Sequence, residues 1–540
     1  MVTKTTVETT VEKPTASVAL TLRVLGVVER VGNRLPHPFW LFVILSGVLL
    51  VLSWALHALG VSAASPADGG RVVVRSLVSD AGVTMMLDGL IDNYATFPPL
   101  GVVLVVMLGV SVADRAGLLT AMLRAALAKV PVRAVTFVVA FTGMVAHIAS
   151  DAAFVVMIPL GAIAYRSVGR NPVLGAVVAF VSVSSGHAAS PLVTPSDATL
   201  AALTTAAAHT IDPAYTVTPV ANYFFSLVSS VVLALVVTVV AETLLTRRVA
   251  MTAGPEELAA AGSGPATPAG GGDRATGRAD GADLPDLSLT GDERRGLRSA
   301  AATALVLLAV IAAAALPAAS PLRGEHGAVI DSPLVHNVAV FLALLFFATG
   351  VVYGRAVGAV RRARDIPDMM ARGLHDLTPV LVLFFAISQF LAYFKWTKIG
   401  EVMAISGARL LDSSGVPLTL VFVGVIVVVS VMNLCLTSGS AMWALIGPVF
   451  VPMLMLLHVA PETTWALYRI ADSCTNAITP MSPYFVLCLG FVRRYRPTAG
   501  IGTLMSLTLP VSLAMLLVWT LLFLAWYTAG LPFGPGAPVH

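Results

Sequence analysis

At 540 residues the chain is long enough for a large soluble core, but 57% of it is hydrophobic and only 11% is charged, against about 25% charged in an ordinary soluble domain. That leaves too little polar surface for a water-soluble globule. A net charge of +4 spread over short loops also gives no basic face for nucleic acid.

Residues 1–37 are polar and carry Lys4, Lys13, Arg23, Arg30 and Arg34. Basic flanks stay inside, so this segment is expected to be cytoplasmic. The first apolar run, Phe39–Leu59, is followed by "VSAAS", which invites comparison with a cleaved signal. The leader is too long and the run too hydrophobic for that, and a retained first span is expected. Residues 61–90 then read as an outer loop. The apolar runs continue with Leu100–Val110, Val135–Ile163, Phe225–Val240, Ala300–Ala315, Val338–Tyr353, Val380–Phe394, Leu418–Val431 and Leu507–Trp526. Many approach or exceed the ~20 residues a helix needs to cross a bilayer. The short alternating segments of a barrel are missing. The fold class is therefore an all-α polytopic membrane protein.

The stretches "RSVGR" (166–170), "LLTRR" (244–248), "GDERRGLR" (291–298), "GAVRRARD" (358–365) and "FVRRYR" (491–496) read as cytoplasmic ends. Residues 249–298, rich in Gly, Ala, Pro and Asp, have little apolar surface to bury and read as a mobile cytoplasmic linker. They divide the chain into a first transmembrane half, 38–248, and a second, 299–528, followed by a short tail, 529–540.

Both halves contain interrupted apolar segments. In the first, "MVAHIASDAAFVVMIPL" (144–160) and "SSGHAASPLVTPSDATL" (184–200) break greasy sequence. In the second the breaks are "MNLCLTSGSAMWALIGPVFVPM" (432–453) and "ALYRIADSCTNAITPMSPYF" (466–485). Non-helical backbone survives at membrane depth only against protein or a wet cavity. Paired broken segments in two halves are a pointer to a secondary transporter's binding site.

The polar groups in these breaks suggest chemistry. Arg469 and Asp472 are three apart and share one helix face if 464–473 is helical. Each is costly alone in lipid, but together they can wall a polar cavity. Asp472 can offer oxygen to a cation or carry a proton, and Arg469 can grip a carboxylate at two points. Asn433 and the carbonyls around Thr437–Ser440 are hard oxygen ligands suited to Na+, and Ser438, Gly439 and Ser440 permit a tight tip. Trp443 can anchor at an interface or stack on an aromatic ring. Pro480 should unwind the backbone near Ala477–Thr479, with Asn476 lining the space. In the first half His147 and Asp151 lie four apart, and Asp197 follows Pro191 and Pro195. His147 and His187 can each carry a proton or simply pack. The three cysteines, Cys435, Cys474 and Cys488, form neither a metal pattern nor a disulfide framework. Metalloprotease, Walker and dinucleotide fingerprints are absent from the sequence, so an enzyme is not expected. A channel would show a continuous polar stripe rather than clustered midplane breaks. It stays open as the rival class, together with a membrane receptor.

The stretches "GNRLPHPFWLF" (32–42), "NYATFPPLGVVLVVMLGVSVADRAGLL" (93–119), "LTGDERRGLRSA" (289–300), "AISQFLAYFKWTKIG" (386–400), "SGSAMWALIGPVFVPM" (438–453) and "ALYRIADSCTNAITPMSPYF" (466–485) closely resemble the AbgT family of p-aminobenzoyl-glutamate transporters. The resemblance implies an inner-membrane homodimer with about nine transmembrane helices and two re-entrant hairpins per protomer. The halves would be inverted-repeat-like, around a basin open to the cytoplasm. It implies transport of p-aminobenzoyl-glutamate or related anions, or export of sulfonamide antimetabolites. Na+ or H+ would be the coupling ion, with no cofactor. By the same resemblance Trp443, Arg469 and Pro461 fall at the substrate, and Asn433 and Asp472 form the sodium-associated pair; from the residues themselves Ser440, Asn476 and His187 are further substrate-binding candidates. Gly186, Pro191, Ser438, Gly439 and Pro480 mark hairpin tips and breaks. The chain departs from the family at Met442, where lysine is usual, and in "GHAASP" (186–191), where the family reads like "GFSAN". A narrower or shifted substrate range is expected from these departures.

Overall fold

The computed structural model describes residues 36–64, 70–128, 130–149, 152–246, 288–317, 319–324, 332–479 and 481–538. The cytoplasmic expectations for residues 1–35 and 249–287, and the candidates Asp151 and Pro480, lie outside the described residues.

The apolar runs become helices. α1 is Pro38–Ala58, α2 Asp80–Ala95, α3 Pro98–Arg115 and α4 Leu118–Leu127. The run expected from Val135 is divided into α5 (Val135–Val145), a 3-10 turn (Ala146–Ala149) and α6 (Ala152–Ser167). α7 (Pro172–Ser185), α8 (Pro195–Ala208) and α9 (Tyr223–Val240) complete the first half. The second half holds α10 (Gly291–Ala315), α11 (Val338–Ala356), α12 (Asp365–Asp376), α13 (Thr378–Trp396) and α14 (Ile399–Ser413). It continues with α15 (Leu418–Asn433), α16 (Gly439–Met455), α17 (Pro461–Thr475), α18 (Pro483–Tyr495) and α19 (Ile501–Thr528). Seven helical stretches among the described residues are long and apolar enough to cross a bilayer.

Two readings of the sequence need correction. The segment 61–90 is not simply a loop. Ser62–Ala64 (β1) pairs antiparallel with Arg71–Val73 (β2) in register Ser62 with Val73, and α2 begins at Asp80, where Ser79 accepts a hydrogen bond from Gly82 N at 3.2 Å. The linker also ends earlier than 298. Thr290 and Glu293 cap each other, with Glu293 accepting from Thr290 N at 2.8 Å. This capping box starts α10 before its apolar residues begin.

At the surface helix α12, the Asp365 carboxylate accepts from Arg362 N at 2.7 Å and Arg361 N at 2.8 Å, which holds it below the usual carboxylate range.

The core is built around two helices with no exposed face. Every residue of α7 and every residue of α17 is buried. For α7 this follows from composition, because a helix that is apolar all round belongs inside. α17 carries Glu462, Arg469 and Asp472 and is equally buried. Its polar groups must therefore find partners inside the protein. α10, by contrast, buries only Gly296 and Ala300 and presents leucines and valines outward.

α3 packs against α11 and against α12. A Cβ at Gly350 would lie 2.6 Å from Ala113 N of α3, so only glycine permits this approach, as in small-residue contacts between membrane helices. Gly350→Val is expected to cost about 1–3 kcal/mol, read as a lower thermal midpoint of the detergent-solubilised protein. An unchanged midpoint would show that α3 and α11 separate freely.

Candidate functional site

The site forms where three helix interruptions meet. In the first half α7 stops at Ser185 and α8 restarts at Pro195. Thr194 caps α8 by accepting from Asp197 N at 3.3 Å, while Asp197 Oδ2 accepts from Thr194 N at 2.7 Å. In the second half α15 ends at Asn433 and α16 starts at Gly439, and α17 ends at Thr475 before α18 starts at Pro483. The expected unwinding near Ala477–Thr479 falls in the gap after α17, whereas of the expected tip only Ser438 precedes α16, and Gly439 and Ser440 form its first turn.

The tips are joined to one another. Ala188 N donates to Ser473 Oγ at 3.1 Å. Arg469 reaches across to the first half, where Nη1 lies 2.8 Å from Asp197 Oδ1. Its Nε and Nη2 donate to the Ala188 carbonyl at 3.1 and 2.7 Å, and the guanidinium lies 4.8 Å from the centre of the Trp465 ring. The ion pair expected between Arg469 and Asp472 is therefore replaced by one between Arg469 and Asp197. The other half offers a carboxylate and a carbonyl together, which occupies more of the guanidinium's donors than Asp472 alone would.

Asp472 turns the other way and is 2% exposed. Its Oδ1 has no hydrogen-bond partner within the protein. Gly439 lies against it so closely that a Cβ there would sit 3.2 Å from Asp472 Oδ2, and the Tyr468 hydroxyl donates to the Gly439 carbonyl at 2.5 Å. Asn433 is fully buried. Its Nδ2 contacts Asp472 O at 2.6 Å, Thr475 Oγ1 at 2.8 Å and Asn476 Oδ1 at 3.1 Å. A backbone carbonyl only accepts, so this atom is the amide nitrogen. Asn433 Oδ1 is then a second buried oxygen with no partner. Leaving such atoms unpaired costs about 1–3 kcal/mol each. Two hard oxygens on neighbouring, linked residues suit an alkali cation, and Asp472 alone could hold a proton.

These tips border a cavity of about 550 Å³. Ser438, Gly439, Ser440, Asp472 and Asn476 line it from the second half, and His187 from the first. Phe154 and Tyr484 form a stacked wall, with ring centres 3.9 Å apart and planes at 3°. Ser111, Asp114 and Arg115 of α3 and Asp376 of α12 complete the outer part, where Arg115 and Asp376 pair.

Three residues expected at substrate lie behind this lining. Arg469 is occupied as described. Trp443 is 1% exposed, donates from its indole nitrogen to Thr204 Oγ1 at 2.9 Å and packs on Tyr468 at 4.5 Å. Pro461 is buried as the first residue of α17, and its neighbour Glu462 accepts from the Tyr215 hydroxyl at 2.8 Å. Gly186 caps α7, donating to Ser182 O at 3.1 Å, and Pro191 is a buried residue of the tip.

Sequence reasoning missed Tyr468, Thr204 and the Phe154–Tyr484 wall. Tyr468 had a signal, being one helical turn before Asp472. So did Thr194-x-x-Asp197, a capping-box spacing with proline between. The others are contacts across long sequence distances, which a single chain does not display.

With this geometry in hand, comparison with known proteins is specific. The profile of the AbgT putative transporter family matches residues 23–264 and 272–540. The p-aminobenzoyl-glutamate transport protein of Escherichia coli (strain K12) is 36% identical over 515 residues, covering 95% of this chain and 96% of that protein. The Alcanivorax borkumensis YdaH transporter, described as having an unusual topology, superposes with a TM-score of 0.83 at 38% identity, over 93% of this chain and 100% of its own. Neisseria gonorrhoeae MtrF, described as illuminating a class of antimetabolite efflux pumps, gives a TM-score of 0.84 at 39% identity, over 96% and 100%.

Proposed function

This chain belongs to the AbgT putative transporter family, and from that premise we propose that it is an ion-coupled secondary carrier of p-aminobenzoyl-glutamate or related aminobenzoate-type anions across a bacterial inner membrane. The observation that carries the mechanism is the pair of unpartnered buried oxygens, Asn433 Oδ1 and Asp472 Oδ1, beside the cavity made by the broken helices. Na+ held between them, or a proton on Asp472, would offset the carboxylate's charge as the cavity closes around an anionic ligand. The cavity volume falls within the roughly 300–1,000 Å³ typical of small-molecule sites. Ser440, Asn476 and His187 are the polar contacts for the ligand, and the Phe154–Tyr484 wall accepts its ring. Trp443, Arg469 and Pro461 act as the frame.

We propose the fuller architecture with it: about nine crossings, two re-entrant hairpins and inverted-repeat-like halves in a homodimer with a cytoplasmic N-terminus. The tips α7–α8 and α15–α16 share one build, helix, non-helical turn, helix. The ion pairs Arg124–Glu293 and Arg115–Asp376 involve segments or near neighbours of segments whose basic residues favour the cytoplasm.

Transport direction has a second reading, export of sulfonamide-like antimetabolites, favoured by the similarity to MtrF. Proteoliposomes holding the purified protein test the carrier assignment. Labelled p-aminobenzoyl-glutamate should accumulate under an imposed Na+ or H+ gradient, and no movement under either gradient would defeat it. Comparing cellular accumulation of a sulfonamide with and without the protein separates export from import. Within this mechanism Gly439→Ala presses a methyl group on the Asp472 carboxylate. The cation concentration for half-maximal uptake should rise about tenfold, equivalent to roughly 1.4 kcal/mol. An unchanged value would place the cation away from Asp472.

A further inference from the structure

A carboxylated ligand needs a cation to receive it. Arg469, the guanidinium expected to do this, lies behind the cavity lining and is held by Asp197, with side chains 4% and 8% exposed. Breaking so buried a pair leaves an uncompensated charge inside the protein. Asp472 borders the inner end and is neutralised at best by its coupling ion, so that end offers no net positive charge.

Among the described residues that line the cavity, Arg115 carries the one guanidinium, and there is no lysine. It is the last residue of α3, where the unpaired helix carbonyls favour a cation. Its Nη2 pairs with Asp376 Oδ2, and the two side chains are 39% and 56% exposed. Solvent screens a pair of this kind, so it contributes little to stability. Asp376 is moreover the last residue of α12, where the helix carbonyls disfavour a carboxylate. The pairing uses one nitrogen and one oxygen, whereas a guanidinium can give a carboxylate two parallel hydrogen bonds. Asp376 is thus a partner that a better-placed carboxylate can replace.

Only the side chain of Asp376 has to move. α12 itself is seated on α3 at Gly373, where a Cβ would lie 1.7 Å from Ser111 Oγ. Asp114 lines the same part of the cavity, and with Asp376 it leaves the mouth net negative until one carboxylate turns away. Asp376 is the exposed one of the two and can turn to water. Deeper in, the stacked Phe154 and Tyr484 rings offer a flat face. A ligand aromatic at one end and carboxylated at the other fits with its ring on that face and its charge toward the mouth.

We infer that Arg115 is a ligand-binding residue that exchanges Asp376 for a carboxylate at the ligand's glutamyl end, and so selects carboxylate-tailed aromatic compounds over uncharged ones. The inference rests on the carrier reading above and deepens it by naming the group that recognises the anion.

Calorimetric titration of the purified full chain in detergent and excess Na+, with p-aminobenzoyl-glutamate and with its dimethyl ester, tests this. The wild type should bind the acid more tightly than the ester. Arg115→Gln should weaken the acid about ten- to a hundredfold, the scale of hydrogen bonds to a charged group, and leave the ester unchanged. Asp376→Asn should instead tighten the acid about two- to fivefold, the scale of an exposed ion pair, and again leave the ester unchanged. A salt bridge that merely braces α3 against α12 is lost in both variants and could not move the acid in opposite directions. Equal weakening of acid and ester in Arg115→Gln, or no gain for the acid in Asp376→Asn, overturns the inference and leaves the carrier assignment standing. Absence of binding of both compounds to the wild type overturns both.

Discussion

Asp472→Asn should abolish gradient-driven accumulation while the purified protein keeps its wild-type thermal midpoint. Asparagine has nearly the same shape and can occupy the space between Gly439 and Tyr468. The backbone carbonyl of residue 472, which accepts from Asn433 at 2.6 Å, is untouched. What is lost is the formal charge on an oxygen that has no other partner. A buried cation without its counter-charge is disfavoured by about 3 kcal/mol or more, roughly a hundredfold in ion affinity. If the coupling ion is a proton, an amide cannot take it at all, so the outcome does not depend on which ion is used. Exchange of labelled ligand across the membrane without a gradient serves as the control for folding and binding. Accumulation at the wild-type rate under a gradient would remove Asp472 from the coupling.

Arg469→Ala should destabilise the protein by about 3–5 kcal/mol, because it leaves Asp197 as an uncompensated buried charge. Both side chains are largely inaccessible, at 4% and 8% exposed, and the guanidinium also serves the Ala188 carbonyl. The double variant Arg469→Ala/Asp197→Asn should recover part of the loss, since asparagine still accepts from the Thr194 backbone and carries no charge. Thermal unfolding of the three proteins measures this. Ligand binding should weaken equally for carboxylated and uncharged analogues, because the guanidinium stands behind the cavity lining. A loss confined to carboxylated ligands would mean that the arginine turns into the cavity to meet them.

Much of the scaffold was legible from composition alone. Long apolar runs in a chain with 11% charge have few solutions other than membrane helices, and the broken segments were visible because Ser, Gly and Pro interrupt those runs. The membership of the site was less legible. Asn433, Asp472, Ser440 and Asn476 lie at or beside helix breaks, and their place could be read from local sequence. Arg469 was misassigned because its two natural partners, Asp197 and Asp472, compete, and only the fold decides between a partner three residues away and one in the other half. Trp443 shows the same effect, since Thr204 satisfies its indole from the first half. The start of α10 was missed for a different reason. Its charged first turns resemble a linker in composition, and only the Thr290–Glu293 capping pattern reveals a helix.

Asn433 ends α15, and its amide is held by the last turn of α17 and Asn476, while Thr479 Oγ1 donates to the Leu434 carbonyl at 2.9 Å. These four contacts, each worth about 1 kcal/mol net, stitch the two second-half tips together, and Arg469 and Ser473 sew the first-half tip to the same helix. Peeling any one tip away to admit substrate from the opposite side would cost several kcal/mol and strand buried polar atoms. Sliding the sewn assembly as a single block past α3 preserves every one of those bonds. The stroke of this carrier should therefore be a translation or rocking of one knotted body, with its elastic hinges in the connections to α9 and α14 rather than in the tips.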